Sequence, residues 1–166
     1  MLRYASTNRR AVLAAVGAAS LGSIAGCSSR QSDEPPTGSL RVINNDETVP
    51  HSITMHVTDV GTALGEEPYS VIGETSASSA QRNLSASTTL EPGGIETYGS
   101  VFSEPVWYAI EFTVDERPPD DEAGHVVYSP IPDDEPIGRM LTGKVGSASD
   151  FWWTISATEN AGTFNL

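Results

Sequence analysis

The chain has 166 residues, of which 22 are acidic and nine are basic, so its formal net charge is −13. This balance argues against nucleic acid as a partner, because the neutralisation of phosphates requires basic side chains. The single cysteine, Cys27, excludes a framework of internal disulfides.

The N-terminal segment has the three-part order of a secretory leader. Residues 1–10 carry three arginines and no acid, residues 11–25 are small and mostly apolar, and Cys27 follows soon after. The apolar part is about 15 residues long, whereas a membrane-spanning helix needs about 20. The sequence therefore predicts a cleaved signal peptide over residues 1–26, with an uncleaved single-span anchor as the alternative.

Two short motifs in this leader resemble known export signals. The segment Asn8-Arg9-Arg10-Ala11-Val12-Leu13 resembles the twin-arginine export motif, and Ile24-Ala25-Gly26-Cys27 resembles the lipobox of prokaryotic lipoproteins. The first resemblance implies that a receptor recognises Arg9 and Arg10 during export. The second implies cleavage before Cys27, a lipid on its sulfur, and attachment to the membrane through that lipid at the extracellular face of the cell.

The chain after Cys27 is strongly acidic. It carries all 22 acids and only six basic residues, which gives this part a net charge of −16. Such a charge repels itself in ordinary salt, whereas in molar salt a Debye length of about 3 Å screens the repulsion. Together with the leader, this acidity resembles that of cell-surface lipoproteins from salt-loving archaea. A generic acidic domain is the alternative.

Residues 27–38 are predicted to be a lipidated cysteine followed by a flexible tether. The segment is polar and contains Pro35-Pro36, so it offers too little apolar surface to form a core.

Residues 39–166 are predicted to form one all-β domain. Apolar and polar residues alternate with a period of two, which is typical of half-buried strands, and turn-forming residues separate the alternating segments. No stretch shows the sustained apolar spacing of a helix. The pattern favours an antiparallel β-sandwich of seven to nine short strands. The alternating segments are 40–42, 53–57, 84–90, 106–114 and 151–157, with weaker candidates at 95–102, 124–128 and 140–145.

Part of this domain resembles a known class of sandwich. The run Ser39–Asp46 followed by His51–Val57 resembles the opening hairpin of immunoglobulin-like and cupredoxin-like domains in archaeal surface lipoproteins, and Thr89–Gly94 resembles a Leu-x-Pro-Gly turn of such sandwiches. The resemblance implies one of these two topologies and leaves both open. Halocyanin-like copper proteins share the leader, the acidity and the fold. Type-1 copper, however, needs a cysteine thiolate, and no cysteine follows Cys27, so we expect no such centre.

The three histidines, His51, His56 and His125, are weak candidates for metal ligands. If Met55 faces the core, as the alternation predicts, then His51 lies on the same side of its strand and His56 on the other. One regular strand therefore cannot direct both side chains to one ion, and we expect no metal and no cofactor.

Two acidic runs could in principle supply oxygens to calcium. They are Asp120-Asp121-Glu122 and Asp133-Asp134-Glu135, and they flank the candidate strand 124–128. Loops at opposite ends of one strand do not converge, so we interpret both runs as solvated turns.

Two tryptophans are the candidate partner-binding residues. The alternation directs Trp107 and Trp152 away from the predicted core, and tryptophan is enriched at interaction hot spots. The alternative is that another part of the chain covers them. The triplet Asn83-Leu84-Ser85 makes Asn83 a candidate for N-glycosylation.

No catalytic residue is predicted. The sequence contains no Gly-x-Ser-x-Gly elbow, no His-Glu-x-x-His motif and no phosphate-binding glycine loop. We therefore expect a non-enzymatic binding or interaction module, with a cell-envelope protein or glycan as its partner. The alternatives are a small cupredoxin-like metal-binding protein without a type-1 copper site, and a hydrolase whose site is assembled across loops.

Overall fold

The computed structural model describes residues 37–119, 122–131 and 138–158, and nearly all regular structure in these ranges is β-strand. The all-β class predicted from the sequence is confirmed. Within the same ranges, no helix is long and apolar enough to cross a membrane. In chain order the elements are β1 (Gly38–Asn44), β2 (His51–Gly61), β3 (Ala63–Leu64), β4 (Val71–Ile72), α1 (Ser79–Arg82), β5 (Ser85–Leu90), β6 (Ile95–Phe102), β7 (Trp107–Val114), β8 (His125–Tyr128), β9 (Gly138–Val145) and β10 (Phe151–Thr158).

Eight of these strands form two four-stranded sheets. One sheet has the order β10-β9-β1-β6 and the other has the order β5-β2-β7-β8, while β3 and β4 form a separate short hairpin. Every pair in the two sheets is antiparallel except β1 and β9, which are parallel. The expectation of a purely antiparallel sandwich is therefore wrong at this pair. Alternation along one strand indicates which face is buried but carries no information about the direction of its neighbour.

The two sheets share one hydrophobic core, as a sandwich requires. The alternation predicted for β2 is confirmed, since Ile53, Met55 and Val57 are all buried in this core. Aromatic rings join the sheets: Phe102 of β6 lies with its ring centroid 4.6 Å from that of Tyr128 of β8. Most outward positions of the two sheets are polar or only partly buried, although Ser39, Ala109 and Thr142 are buried, so each sheet has one core face and one face directed away from the core.

Candidate binding face and the buried histidine

His51 begins β2, and its side chain is buried at the edge of the core, with only 3% of the residue exposed. Its Nδ1 atom lies 2.7 Å from Oδ2 of Asp115, and its Nε2 atom lies 3.6 Å from Oδ2 of Asp46. The first distance is a hydrogen bond, whereas the second is too long for one. Among the described residues, Nε2 has no hydrogen-bond partner. The imidazole is thus held between two carboxylates, and it joins the loop before β2 to the turn after β7.

Asp46 is fixed by the loop in which it lies. Its Oδ1 atom accepts hydrogen bonds from the backbone N–H and the hydroxyl of Thr48, at 2.7 and 2.6 Å, and from the N–H of Val49 at 3.0 Å. Because these donors favour the charged carboxylate, with the Thr48 hydroxyl contributing most, the pKa of Asp46 is lowered to about 2. The other oxygen, Oδ2, remains directed toward His51.

The lowered pKa of Asp46 predicts a loss of stability in acid. The folded-state pKa of about 2 lies below the ordinary value of 3.8, so the ionised carboxylate contributes fully above the ordinary pKa. This contribution is lost as the pH falls through the interval between the two values. We therefore expect the difference in free energy of unfolding between wild type and Asp46→Asn, measured by urea denaturation, to shrink across that interval.

The matched control for this titration is Glu47→Gln, because Glu47 is the exposed neighbouring carboxyl group. Its curve reports the effect of removing one exposed negative charge from the same loop. A difference for Asp46→Asn that did not change between about pH 5 and about pH 2 would contradict the prediction.

Asp115 reaches His51 from a tight turn. Asp115 and Glu116 are adjacent turn residues with positive φ angles of 51° and 65°, the backbone of a type I′ hairpin turn. Oδ1 of Asp115 accepts a hydrogen bond of 2.9 Å from the backbone N–H of Ser52. Partial burial opposes ionisation, but the hydrogen bonds from Ser52 and His51 outweigh it, so the pKa of Asp115 is lowered.

The other two histidines lie elsewhere. His56 is exposed on the opposite side of β2 from His51, and His125 lies on β8 with its ring centroid 5.8 Å from that of Tyr69. The three imidazoles therefore do not converge on one point. In the described ranges no group of three His, Cys, Asp or Glu side chains is placed to hold a metal ion.

Several residues singled out from the sequence lie outside the described ranges. Of the acidic runs only Glu122 is described, and it is an exposed turn residue with a φ of 62°. The sequence-based assignments that the structure does not address concern Arg9, Arg10, Cys27, Asp120, Asp121, Asp133, Asp134 and Glu135.

A cleft of about 340 Å³ lies between the segment that follows β7 and the turn before β10. Asp115, Arg117 and Asp150 are the charged residues that line it, and Ser149 supplies a hydroxyl group. His51 lies behind Asp115 and is nearly inaccessible, so it cannot act on a molecule bound in the cleft.

The two candidate tryptophans lie on different sheets. Trp107 is partly buried on β7, on the side opposite the core residue Tyr108. Trp152 is 40% exposed on β10, on the side opposite the core residue Phe151. Because the solvent faces of two packed sheets point away from each other, the structure does not bring the two tryptophans together.

The side of the β10-β9-β1-β6 sheet that carries Trp152 is called here the outer face. Val42 of β1 is a core residue, so its neighbours Arg41 and Ile43 point to the outer face. Directly paired residues of adjacent strands share a face, so the strand register assigns the remaining members. One row across the sheet is Trp152, Lys144, Ile43 and Ile95, the next is Thr154, Thr142, Arg41 and Thr97, and a third contains Ser156, Met140 and Ser39.

None of these outer-face residues is acidic. On the described strands of this sheet the one carboxylate belongs to Glu96, which pairs with the core residue Val42 and therefore lies on the inner side. The face carries two basic residues, Arg41 and Lys144, and within the described part of the chain neither makes an ion pair. The Nε atom of Arg41 donates a hydrogen bond of 3.1 Å to the hydroxyl of Thr97.

Sequence reasoning identified Trp152 but missed the rest of this face. The available signals were that Lys144 is the chain's single lysine and that Arg41 alternates with the apolar Leu40 and Val42. Neither signal shows that the two cations and the exposed Ile95 lie on the same face as Trp152, because that depends on the register of four strands.

Asn83, the candidate glycosylation residue, is exposed directly after α1. Its side-chain Nδ2 donates a hydrogen bond of 2.8 Å to the backbone carbonyl of Ser79. Glycosylation at this residue stays a prediction.

Comparisons of the chain with protein-family models, with curated proteins and with solved structures found no match.

Proposed function

We propose that this protein is exported by the twin-arginine route, loses residues 1–26, and is held at the extracellular face of the cell membrane by a lipid on Cys27. The order of arginine pair, apolar segment and cysteine supports this proposal. Burial of acyl chains contributes roughly 0.8 kcal/mol per methylene, so two chains give firm attachment. Residues 27–38 then tether the domain to the membrane.

The domain in this proposal is an immunoglobulin-like or cupredoxin-like sandwich that works in concentrated salt. Two stacked four-stranded sheets with a common core support the sandwich. The net charge of −16 after the leader supports the salt adaptation, because screening removes most of its self-repulsion.

Its role in this proposal is non-enzymatic binding to a component of the cell envelope. The supporting observation is that the described residues of the outer face include no carboxylate. The chain has 22 acids, and 14 of them lie in the described ranges, yet the described residues of this face include none. An acidic domain repels other acidic surfaces wherever its carboxylates are exposed. The outer face is therefore a part of the described surface where a negatively charged partner can approach closely.

Trp152 is the expected anchor residue of this interaction. It is exposed at one edge of the face, and a tryptophan side chain combines a large apolar area with one hydrogen-bond donor. No observation favours the metal-binding alternative, because the described histidines lie apart.

The export part of the proposal is tested by mass spectrometry of the protein purified from its native membrane. The expected result is a chain that begins at Cys27 with a lipid adduct on the sulfur. A chain that retains Met1 and a free thiol at Cys27 would refute the lipoprotein assignment.

The binding part is tested by cosedimentation of the full chain carrying Cys27→Ser with washed cell envelopes. Trp152→Ala in this background is expected to weaken binding by about tenfold or more, as removal of a hot-spot tryptophan does. Trp107→Ala is the comparison variant, because Trp107 lies on the other sheet and its loss should leave binding nearly unchanged. Equal binding by wild type and Trp152→Ala would refute the assignment to the outer face.

A further inference from the structure

The outer face carries aromatic, aliphatic and basic side chains in two adjacent rows. Trp152 and Ile95 stand at its two edges, 40% and 63% exposed, and Lys144 and Ile43 lie between them. Arg41 occupies the next row on the strand that carries Ile43, so the two cations are diagonal neighbours near the centre of the sheet. The first row is thus apolar at both ends, and the two cations lie near the centre of the face.

We infer that the outer face docks the domain flat against the anionic lipid headgroups of the membrane that holds it. This inference rests on the proposed function, because it takes Cys27 as the point of attachment. The binding partner is then the membrane itself, which lies beside the tethered domain at all times.

The charges explain why the lipid surface should be anionic. Arg41 and Lys144 make no ion pair within the described residues, so both are available to phosphate groups. In concentrated salt only charges in close contact interact strongly, so the two cations act by direct contact with headgroup phosphates. This contact attraction favours the orientation in which the outer face lies on the membrane.

The apolar side chains favour a lipid surface over a glycan. Ile95 and Ile43 cannot donate or accept hydrogen bonds, and sugar hydroxyl groups gain little from them. A headgroup layer accepts both kinds of residue, since aliphatic side chains reach the acyl boundary and tryptophan lies at headgroup level. The row Trp152, Lys144, Ile43 and Ile95 matches that combination.

The length of the chain before β1 agrees with this arrangement. An extended chain spans at most about 3.6 Å per residue, so the residues from Cys27 to Gly38 can reach roughly 40 Å. Gly38 is the first residue of β1, which is a central strand of the sheet that carries the outer face. A domain tethered at this strand can place that face on the membrane without stretching the tether.

The experiment depends on the chain having one cysteine, because its replacement leaves an introduced cysteine as the single site for labelling. In the full chain with Cys27→Ser, a new cysteine is introduced by Ile95→Cys on the outer face or by Ile72→Cys as the matched control. Ile72 is 54% exposed and lies on β4, in the hairpin that contacts β2 and β7 of the other sheet. Each cysteine is labelled with an environment-sensitive fluorophore. The proteins are then mixed with vesicles of phosphatidylglycerol or of phosphatidylcholine, at the lowest salt concentration at which circular dichroism shows a folded chain.

The expected result is that the label at residue 95 brightens several-fold and shifts to the blue with phosphatidylglycerol, and changes much less with phosphatidylcholine. The label at residue 72 should stay unchanged with both. Addition of Arg41→Gln and Lys144→Gln is expected to weaken the binding of the residue 95 variant to phosphatidylglycerol by about tenfold.

Three outcomes would overturn the inference. The first is an unchanged label at residue 95 in phosphatidylglycerol vesicles. The second is an equal change at residues 95 and 72, which would report binding through the uncleaved leader. The third is a response to dextran sulfate without a response to vesicles, which would assign the face to an acidic polysaccharide. Because Cys27 is substituted in all variants, these outcomes are independent of whether the native protein carries a lipid.

Discussion

Replacement of Asn44 by alanine is expected to lower the free energy of unfolding by about 3 kcal/mol. Asn44 is completely buried at the end of β1, and its Nδ2 group donates to the carbonyl groups of Val49, Leu90 and Glu91, at 2.9, 3.1 and 3.2 Å. Its Oδ1 atom accepts the N–H of Asp46 at 2.9 Å. Alanine removes all four hydrogen bonds and leaves buried backbone groups without their partners.

The matched control is Asn45→Ala, because Asn45 is the adjacent exposed residue. Its effect on unfolding, measured by urea denaturation, should stay within about 0.5 kcal/mol, as is usual for surface positions. If Asn44→Ala lowered stability no more than Asn45→Ala, the amide would not organise the loop between β1 and β2. The acid titration of Asp46 would then lose its structural basis, because Asn44 positions the backbone of Asp46.

The faces of the strands could be predicted from the sequence because they depend on local periodicity. Ile53, Met55 and Val57 point inward wherever β2 is placed, since successive side chains of a strand alternate. The order and direction of the strands could not be predicted in this way. The parallel pairing of β1 with β9 joins residues about a hundred positions apart, such as Leu40 and Leu141, and no local pattern encodes it.

The same limit explains what was missed at the candidate sites. The inward orientation of His51 followed from parity, but its partner Asp115 lies 64 residues away and reaches it through a turn with positive φ angles. The outward orientation of Trp107 and Trp152 also followed from parity. Their placement on different sheets did not, because parity distinguishes inside from outside and does not identify the sheet.

Burial of a polar residue is another feature that the sequence does not reveal. The residues before β5 show no helical periodicity in the sequence, but within the described ranges they contain the helical turn α1. Gln81 of this turn is buried, accepts a hydrogen bond of 2.7 Å from the hydroxyl of Tyr108, and donates one of 3.1 Å to the carbonyl of Val101. Composition marks glutamine as a surface residue, and only the packed structure reveals that Gln81 satisfies three other polar groups, the third being the N–H of Ser103 at 3.0 Å.

Gly143→Val is expected to lower the free energy of unfolding by about 3 kcal/mol, because the added side chain would meet the aromatic contact that joins the two sheets. Gly143 lies on β9 beside the rings of Phe112 and Phe151, whose centroids are 5.0 Å apart. A Cβ atom at this position would lie 3.1 Å from the ring of Phe112 and 3.2 Å from that of Phe151. The two further carbons of valine would force the rings apart.

Gly99→Val is the matched control for this substitution. Gly99 lies on the edge strand β6, and a Cβ atom there would have no neighbour within 4 Å, so valine can be added in open space. Valine also has a higher strand propensity than glycine, so this variant should be neutral or slightly more stable than wild type. Both variants are compared by urea denaturation, with near-ultraviolet circular dichroism as a probe of the aromatic packing.

Equal stability of Gly143→Val and Gly99→Val would mean that the sheets are not held at the spacing that the rings of Phe112 and Phe151 define. In that case the outer face would lose its rigid support, since β9 carries both Gly143 on the core side and Lys144 on the solvent side.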